Sequence, residues 1–432
     1  MEKGSFYGWK LIAAFWVIVF INIAFAAYGS PVMNAGMAQK LHLSRTLAGL
    51  PYSVYTVMSA VPSVLIAVLV SRFGVRLTVV FGSLLILAGC VLMATVVNSA
   101  LGAVIVFGFV IAFGVCAGGV FGIQPGVVLW FERRRALAIS LVYSGGAFGG
   151  LFAARVLNRV IVDAGGNWRA GWWLFAALAA VATVIAAVFI RERPSDLGQE
   201  PDGGPRPVHS TGAAGGARRR SFITHEVWPF GEVLRSGRFW IMVLALCGGS
   251  AGFTLFMAQG VLHLNDLGFT TAQAAVAVSV TTGSALLGKA ALALFGDVVD
   301  PRYIWAVTAA VFGIGLVLVI DPRSMHSVYL FSLCVGFGFG GGLVCMMTTL
   351  SNYYGTAVFA AAAGIAGALN TIISFVASVL GGVVYDAVGS YAPTFYILSA
   401  WCFAGAIALV LVRPPLRHAA AGRPAVAVSG GP

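Results

Sequence analysis

The chain has 432 residues, 59% of them hydrophobic and only 9% charged, with a formal net charge of +12. A soluble domain holds roughly 25% charged residues, so this composition excludes a soluble globule and points to a polytopic membrane protein. Nor does the basic balance imply a nucleic-acid partner, because the cations are sorted between the two sides of a bilayer rather than gathered in a patch.

Apolar runs of about 20 residues, each long enough to cross roughly 30 Å of hydrocarbon as a helix, recur from end to end. The hydropathy predicts twelve spans, at 9–32, 48–71, 76–97, 101–130, 136–160, 168–190, 239–262, 272–296, 303–320, 327–350, 356–385 and 393–412. With the N-terminus cytoplasmic, the inner segments hold 19 Lys and Arg and the outer ones five: Lys40, Arg45, Arg159, Arg169 and Arg323. Without the long central loop the balance is still 11 against five, which places both termini inside. The first 30 residues are too long, and too poor in a cleavage site, for a removable signal, and are expected to be span one. All six cysteines lie within apolar spans without metal-ligand or CxxC spacing, so they read as small buried side chains. The Arg-, Ala- and Gly-rich usage suggests a bacterial source.

Span one opens GSFYGWKLIAAFWVIV, with Tyr7, Trp9 and Lys10 as interfacial anchors. Asn22 is the strongly polar side chain in its middle, either an interhelical hydrogen bond or a substrate contact. Tyr28 to Pro31 are expected to end the span with a kink. SRFGVR, with Arg72 and Arg76, is a tight turn between spans two and three. GDVVDPR, with Asp297 and Arg302, joins spans eight and nine. Arg76 and Arg302 are 226 residues apart, and the same offset maps Phe113-Gly114 onto Phe339-Gly340 and Ala138-Ile139 onto Gly364-Ile365. A register kept over three helices argues for two repeated halves with a site between them near the midplane. The expected organisation is a six-helix bundle at 1–190, a cytoplasmic linker at 191–237, a second six-helix bundle at 238–412 and a disordered tail at 413–432. The middle of the linker, GGPRPVHSTGAAGGARRRSF, is too polar and too rich in Gly and Pro to order itself, and a short surface helix is expected around Glu226 to Leu234.

Spans four and ten are glycine-rich, GFVIAFGVCAGGVFGIQPG and GFGFGGGLVCMMTTL, a pattern that lets helices approach closely and suits either simple close packing or halves that move. Arg133, Arg134 and Arg135 hold the start of span five at the inner surface. The decisive stretch is AQAAVAVSVTTGSALLGKAALALFGDVVD, a membrane-length run with one charge inside it, Lys289. A cation in hydrocarbon costs at least about 2.5–3.5 kcal/mol, so it usually faces a cavity, a partner or an anion. Only four lysines stand beside 22 arginines, which makes Lys289 a poor candidate for a random surface charge. It precedes Asp297 by eight residues, near enough to the inner surface for its stem to snorkel, so substrate binding and an interfacial role both stand. Arg155 reads as a snorkelling cation or as part of an outward funnel. Tyr28, Gln124, Tyr143, Gln259 and Asn370 sit at cavity depth, where each either lines a cavity or pins helices together. His263 and Asp266 lie at the outer turn, close enough in sequence for a local hydrogen bond.

The opening YGW, the WF-x-R-R-R-A-L-A motif, RERPSDLGQEPDG after span six, RFW at Arg238 to Trp240 and HLNDLGFTTAQAA before span eight together resemble the monocarboxylate porter and oxalate:formate antiporter branch of the major facilitator superfamily. The resemblance covers essentially the whole chain. It implies an all-α membrane protein of twelve transmembrane helices in two pseudo-symmetric six-helix bundles, working by alternating access in a cell inner membrane. It also implies a basic residue in span eight that holds the substrate carboxylate, here Lys289 where the family usually has Arg. The chain departs from proton-coupled members at Ala285, where they carry an acid, and at Ala27 to Pro31, where they carry a lysine. The second cation of the oxalate porter is missing from span eleven, where Asn370, Thr371, Ser374 and Ser378 are the polar residues, which favours a monoanion.

These readings predict a secondary transporter of a small lactate- or pyruvate-like monocarboxylate, with proton symport or anion exchange both open. Phe256, Phe337 and Phe339 are candidates to meet its apolar tail, each weighed against ordinary packing. An exporter of a neutral or cationic compound is the alternative within the class. No nucleophile with a base, phosphate-binding loop, cofactor motif or metal-ligand cluster is present in the sequence, so no enzyme, cofactor or ATP-driven pump is expected.

Overall fold

The computed structural model describes residues 6–131, 134–203, 222, 224, 228–295 and 299–415. In chain order its helices are α1 (Gly8–Asn22), a π-helical turn (Phe25–Gly29), α2 (Ser30–Lys40), α3 (Arg45–Met58), α4 (Ser63–Thr95) and α5 (Ala100–Ala103). A second π-helical stretch (Val104–Ile111), α6 (Ala112–Gly118), α7 (Val120–Trp130), α8 (Arg135–Asp163) and α9 (Arg169–Phe189) complete the first half. Two 3-10 turns and the short α10 (Phe230–Arg235) lead to α11 (Gly237–Asp266), α12 (Thr271–Phe295), α13 (Pro301–Leu318), α14 (Met325–Tyr354), α15 (Thr356–Val388) and α16 (Ala392–Leu411). Among the described residues 11 helical stretches are long and apolar enough to cross a membrane. The expected span without a stretch of its own is span two, whose residues are divided between the 14-residue α3 and the first part of α4, which runs through a kink at Gly74 (φ 84°) into span three. Positive φ at this turn is a conformation that glycine adopts without a steric penalty.

The first half is more broken than the hydropathy predicts. Span one does not end at Tyr28 to Pro31 but continues to Lys40, because a wide π turn offsets the chain there and Pro31 falls in the first turn of α2, where its missing N–H costs little. Span two, expected continuous over 48–71, is interrupted at 59–62, and Pro62 has no N–H to carry the ladder across. Span four breaks at Gly119 (φ −119°, ψ −138°). In the second half α11, α14 and α15 run unbroken for 30, 30 and 33 residues.

Glycine sets how closely the helices lie. A β-carbon on Gly340 would stand 1.9 Å from the Ala285 carbonyl oxygen, one on Gly336 2.0 Å from that of Thr281, and one on Gly114 2.8 Å from that of Gly82. Without a hydrophobic drive between helices in lipid, such backbone contact is what holds neighbouring spans together.

The hydrophobic clusters show the shape. One cluster unites both halves, from Phe25, Tyr52 and Leu157 of the first to Met257, Val278 and Tyr391 of the second. Two others are confined to one half each: Leu11, Phe15, Val127 and Trp130 in the first, Phe239, Trp305, Met346 and Tyr353 in the second. The halves are therefore packed together toward the face that carries Arg45, Asp266 and Asp386, here termed the latch face. They stand apart toward the opposite face, where α1 starts and α16 ends.

On that terminal face residues 191–203 are packed against the first half rather than free. Glu192 accepts hydrogen bonds from the backbone of Val75 (2.9 Å) and Arg76 (2.8 Å), and Gln199 accepts from Tyr7 N (3.0 Å). The helix expected around Glu226 to Leu234 is α10, with Trp228 and Val233 buried against the second half. The middle of the expected linker, 204–221, and the expected tail from residue 416 lie outside the described residues, as do Arg133 and Asp297. Nothing is described of the side chain of Arg135, whose backbone starts α8. Arg72 and Arg134 are exposed on the terminal face, and Arg302 pairs there with Asp300 and with the Val412 carbonyl.

Candidate functional site

The space between the halves begins where α8 meets α12. A β-carbon on Gly150 would touch both Tyr28 (2.8 Å) and Thr282 (2.9 Å), and one on Gly283 would touch Leu151. The second seam is α3 against α15, where the Ser53 and Ser378 hydroxyls are 2.9 Å apart and a β-carbon on Gly382 would stand 2.7 Å from the Thr46 Cα. Below this level the seams part. Gly367 and Gly364, on the same stripe of α15 as Ser378 and Gly382, meet nothing within 4 Å. The result is a cleft open to the terminal face and closed at the latch face.

Lys289 belongs to the cleft by register. It follows Thr282 by seven residues, two turns, and so lies on the stripe of α12 that touches α8. At about 1.5 Å per residue it stands roughly 10 Å nearer the terminal face, where the halves have separated, and its side chain is exposed. In a helix the Cα–Cβ bond leans toward the N-terminus, which for α12 is the midplane side, so the lysine stem starts out toward Thr282 rather than toward the surface. Tyr143 mirrors it on α8, seven residues before Gly150, with its hydroxyl donating to Gln124 Oε1 at 3.1 Å.

Above this level, between the halves, is a cavity of about 260 Å³. Tyr28, Tyr52, Tyr55, Thr56 and Ser59 of the first half line it with Phe253 of the second. Three of the helical defects of the first half adjoin it, the π turn that carries Tyr28, the break after Ser59 and the break at Gly119 beside Val120 and Phe121, in keeping with the rule that irregular backbone at membrane depth lines a cavity. The Tyr52 hydroxyl donates to the Ala27 carbonyl (3.0 Å), and Tyr55 stacks on Phe107. Phe339 stacks face to face on Phe253, so it backs the cavity wall. Tyr52 and Tyr55 are not among the sequence candidates, although their spacing of three residues puts both on one face of a helix.

Other expected site residues do not line this cavity. Asn22 is fully buried inside the first half and donates to Ser83 Oγ and the Gly118 carbonyl, both at 2.9 Å, so it pins helices together. Phe256 is buried edge-on against Phe331 within the second half. Asn370 is half-buried on α15, turned to the side of the stripe that meets α3. Arg155 is exposed on α8 on the latch side of Gly150.

Gln259 belongs to the latch. Its Nε2 donates to the Arg45 carbonyl (2.7 Å), and its Oε1 accepts from Tyr391 (3.0 Å), whose hydroxyl is kept protonated as burial pushes its pKa up. Around it Arg45 pairs with Asp266 and lies 5.1 Å from the centre of the Tyr385 ring. Asp386 caps the start of α3 from the other half, accepting from Arg45 N (2.8 Å), Thr46 N (3.0 Å) and Thr46 Oγ1 (2.6 Å). His263 does not bond Asp266; its Nε2 meets the Val319 carbonyl at 2.7 Å. Among the described residues no group of three or more His, Cys, Asp or Glu is placed to hold a metal ion.

A family model described as Major Facilitator Superfamily matches residues 15–377 and, in a second match, 251–429. Monocarboxylate transporter 13 of Bos taurus is 25% identical over 284 residues, 65% of this chain and 61% of that protein. The Oxalate:formate antiporter of Oxalobacter formigenes is 24% identical over 298 residues, 67% of this chain and 64% of its own length. Against these two the chain spans less than two thirds of the relative. Monocarboxylate transporter 3 of Rattus norvegicus is 24% identical over 90% of this chain and 76% of its own. Of solved structures, the nucleoside transporter NupG matches with a TM-score of 0.71 at 13% identity, covering 93% of this chain and 98% of that one. The D-xylose-proton symporter matches at 0.70 and 14%, covering 94% and 97%. At such identities these two share the fold alone.

Proposed function

Because the chain belongs to the Major Facilitator Superfamily, we propose that it is a secondary transporter of a small organic monocarboxylate, lactate- or pyruvate-like, with Lys289 as the carboxylate anchor. The observation that carries the reading is the place of Lys289. It is the one basic side chain on the α12 stripe that faces the first half across the open cleft, and a lone cation in such a place needs an anion to offset its desolvation when the cleft closes. The names of relatives, monocarboxylate transporters and an oxalate:formate antiporter, support the same class. A single anchor suits a monoanion.

The terminal face is cytoplasmic in this reading, as the sorting of Lys and Arg suggests, and the structure is then an inward-facing state in the inner membrane of a bacterium. The moving bodies are 1–190 and 238–412, bridged by 191–237 and followed by a tail at 413–432. The apolar part of the substrate enters the tyrosine-lined cavity, where Tyr28 adjoins the α8–α12 seam. The cavity carries no charged side chain, an observation that favours a second reading, a neutral or cationic compound that leaves Lys289 dispensable.

Uptake of labelled lactate, pyruvate, formate and oxalate into liposomes separates the two. Under the first reading one monoacid is taken up, uptake collapses in Lys289→Ala and partly survives in Lys289→Arg, and its response to an imposed pH gradient distinguishes symport from exchange. Unchanged uptake in Lys289→Ala, or no uptake of any of these acids, overturns it.

A further inference from the structure

The geometry points to Tyr143, backed by Gln124, as the hydrogen-bond donor that the first half offers to the anion held by Lys289, so that the substrate joins the halves when the cleft closes. The inference rests on the reading of Lys289 as the anchor and adds a residue from the opposite bundle.

Helix register places the two residues opposite each other. Gly150 on α8 and Thr282 on α12 are in contact, and the two helices run in opposite directions across the membrane. Seven residues back along α8 and seven forward along α12 are the same number of turns toward the same face, about 10 Å in each case, and both return to the stripe that makes the contact. Those positions are Tyr143 and Lys289. Closing the cleft by rocking one half on the other about the Gly150–Thr282 contact brings these two stripes together at the level of Tyr143 and Lys289.

The chemistry fits an acceptor-only ligand. A carboxylate can only accept hydrogen bonds, an ammonium only donates, and a phenol carries one donor proton. In the open cleft that proton is parked on Gln124 Oε1 at 3.1 Å, and the Gln124 amide nitrogen has no partner among the described residues. Tyr143 is half-buried with its ring against the core of the first half, and Gln124 is exposed, so it is the hydroxyl and the amide, not the ring, that have room to turn. When a carboxylate reaches Lys289, the Tyr143 hydroxyl turns from Gln124 to the anion, and the Gln124 side chain turns its NH₂ toward the phenol oxygen. Without an anion, closure would bury the Lys289 charge against a phenol alone, which is costly. Closure of the empty cleft is therefore disfavoured relative to closure of the loaded one.

The test measures uptake of the monoacid carried by the wild type, together with the thermal shift that the same acid induces in the detergent-solubilised protein. Tyr143→Phe keeps the ring and removes only the donor. It is expected to raise KM about tenfold and to shrink the thermal shift, with the melting temperature of the unliganded protein unchanged. Gln124→Glu sets a carboxylate beside the phenol and repels the substrate, raising KM further, whereas Gln124→Asn stays within about threefold of wild type. Tyr143→Phe with unchanged KM and thermal shift, while Lys289→Ala still abolishes uptake, overturns this inference and leaves the anchor standing. Uptake indifferent to both Lys289→Ala and Tyr143→Phe overturns both readings. A lowered melting temperature of unliganded Tyr143→Phe, with KM unaltered, assigns the residue to packing and also overturns it.

Discussion

The two ends of the seam between the halves are built from different materials. At the latch face, Arg45, Gln259, Asp266, Tyr385, Asp386 and Tyr391 form a connected polar lattice, and the start of α3 in one half is capped by a carboxylate of the other. At the terminal face, each half closes on itself: Glu192 caps the helix that follows Gly74 from within the first half, and Asp300 accepts from Tyr353 and Arg302 within the second. The same device, a carboxylate on free helix N–H groups, thus holds the halves together at one end and leaves them independent at the other. A conformational equilibrium follows from that asymmetry, because whatever weakens the latch shifts the population toward a state open at Arg45.

The largest effect is expected where backbone meets backbone. Gly382→Val would set a β-carbon 2.7 Å from the Thr46 Cα and 2.9 Å from its nitrogen, atoms that cannot turn aside as a side chain can. The latch should then fail to close, with transport lost while the protein still folds and extracts as a monodisperse species. The check is a Ser53→Cys reporter at a position buried in the wild type, which a membrane-impermeant thiol reagent should label in the Gly382→Val background; continued protection would show that the seam has room to spare.

Asp386→Ala is next. It removes three hydrogen bonds to one carboxylate and orphans two N–H groups at the start of α3. Charged hydrogen bonds of this kind contribute about 1.5–3 kcal/mol, not additively, so the open-latch population should rise roughly thirty- to a hundredfold. The labelling rate of the same Ser53→Cys reporter reads it. Arg45→Ala should do less. The Arg45–Asp266 pair is partly solvated, with side-chain exposures of 21% and 30%, and such a pair with a cation–π contact is worth about 1 kcal/mol. The expected change in labelling is about fivefold, and it should shrink as salt is raised; a salt-independent effect would mean that stacking on Tyr385 outweighs the ion pair.

These differences also explain what the sequence could and could not disclose. The spans, the repeat and Lys289 are local signals: hydropathy over about 20 residues, one offset, one charge in an apolar run. The latch joins Arg45 to Asp386 across a separation of 341 residues, and each of its members, taken alone, looks like an ordinary charge at a helix end. Gln259 is left between a cavity and a helix-pinning role because depth can be read from sequence, whereas the direction in which a side chain points around the helix cannot without knowing its neighbours. Asn22 stays open in the sequence in the same way, since an amide at midplane suits a substrate or a neighbouring helix equally well, and the structure shows its bonds to Ser83 and the Gly118 carbonyl. The break at 59–62 does leave a signal in Pro62, overridden by the hydropathy of the run around it. Tyr52 and Tyr55 are hidden by their own apolarity, since an aromatic pair on one helix face reads as core until the opposing wall, Phe253, is known.

The smallest effect is expected at the point where the polar latch gives way to the cleft. Ser53 Oγ is 3.0 Å from the Gly49 carbonyl and 2.9 Å from Ser378 Oγ, and a single hydroxyl proton cannot serve both. Ser53 therefore bonds back to its own helix and accepts from Ser378, or donates across the seam and leaves Gly49 to its backbone partner. Either hydroxyl has a local alternative when the other is removed, because a serine inside a helix readily bonds the carbonyl four residues earlier. Ser53→Ala or Ser378→Ala should thus shift the latch equilibrium by only about 0.5–1 kcal/mol, a two- to fivefold change, and the double variant by no more than the larger single change. Labelling for this pair is read at a cysteine replacing Thr46, whose hydroxyl faces Asp386 rather than the serines, with each variant compared to that reporter alone. A double variant that opens the latch as far as Asp386→Ala does in the same reporter background would show that the serine contact, and not the carboxylate cap above it, sets where the halves separate.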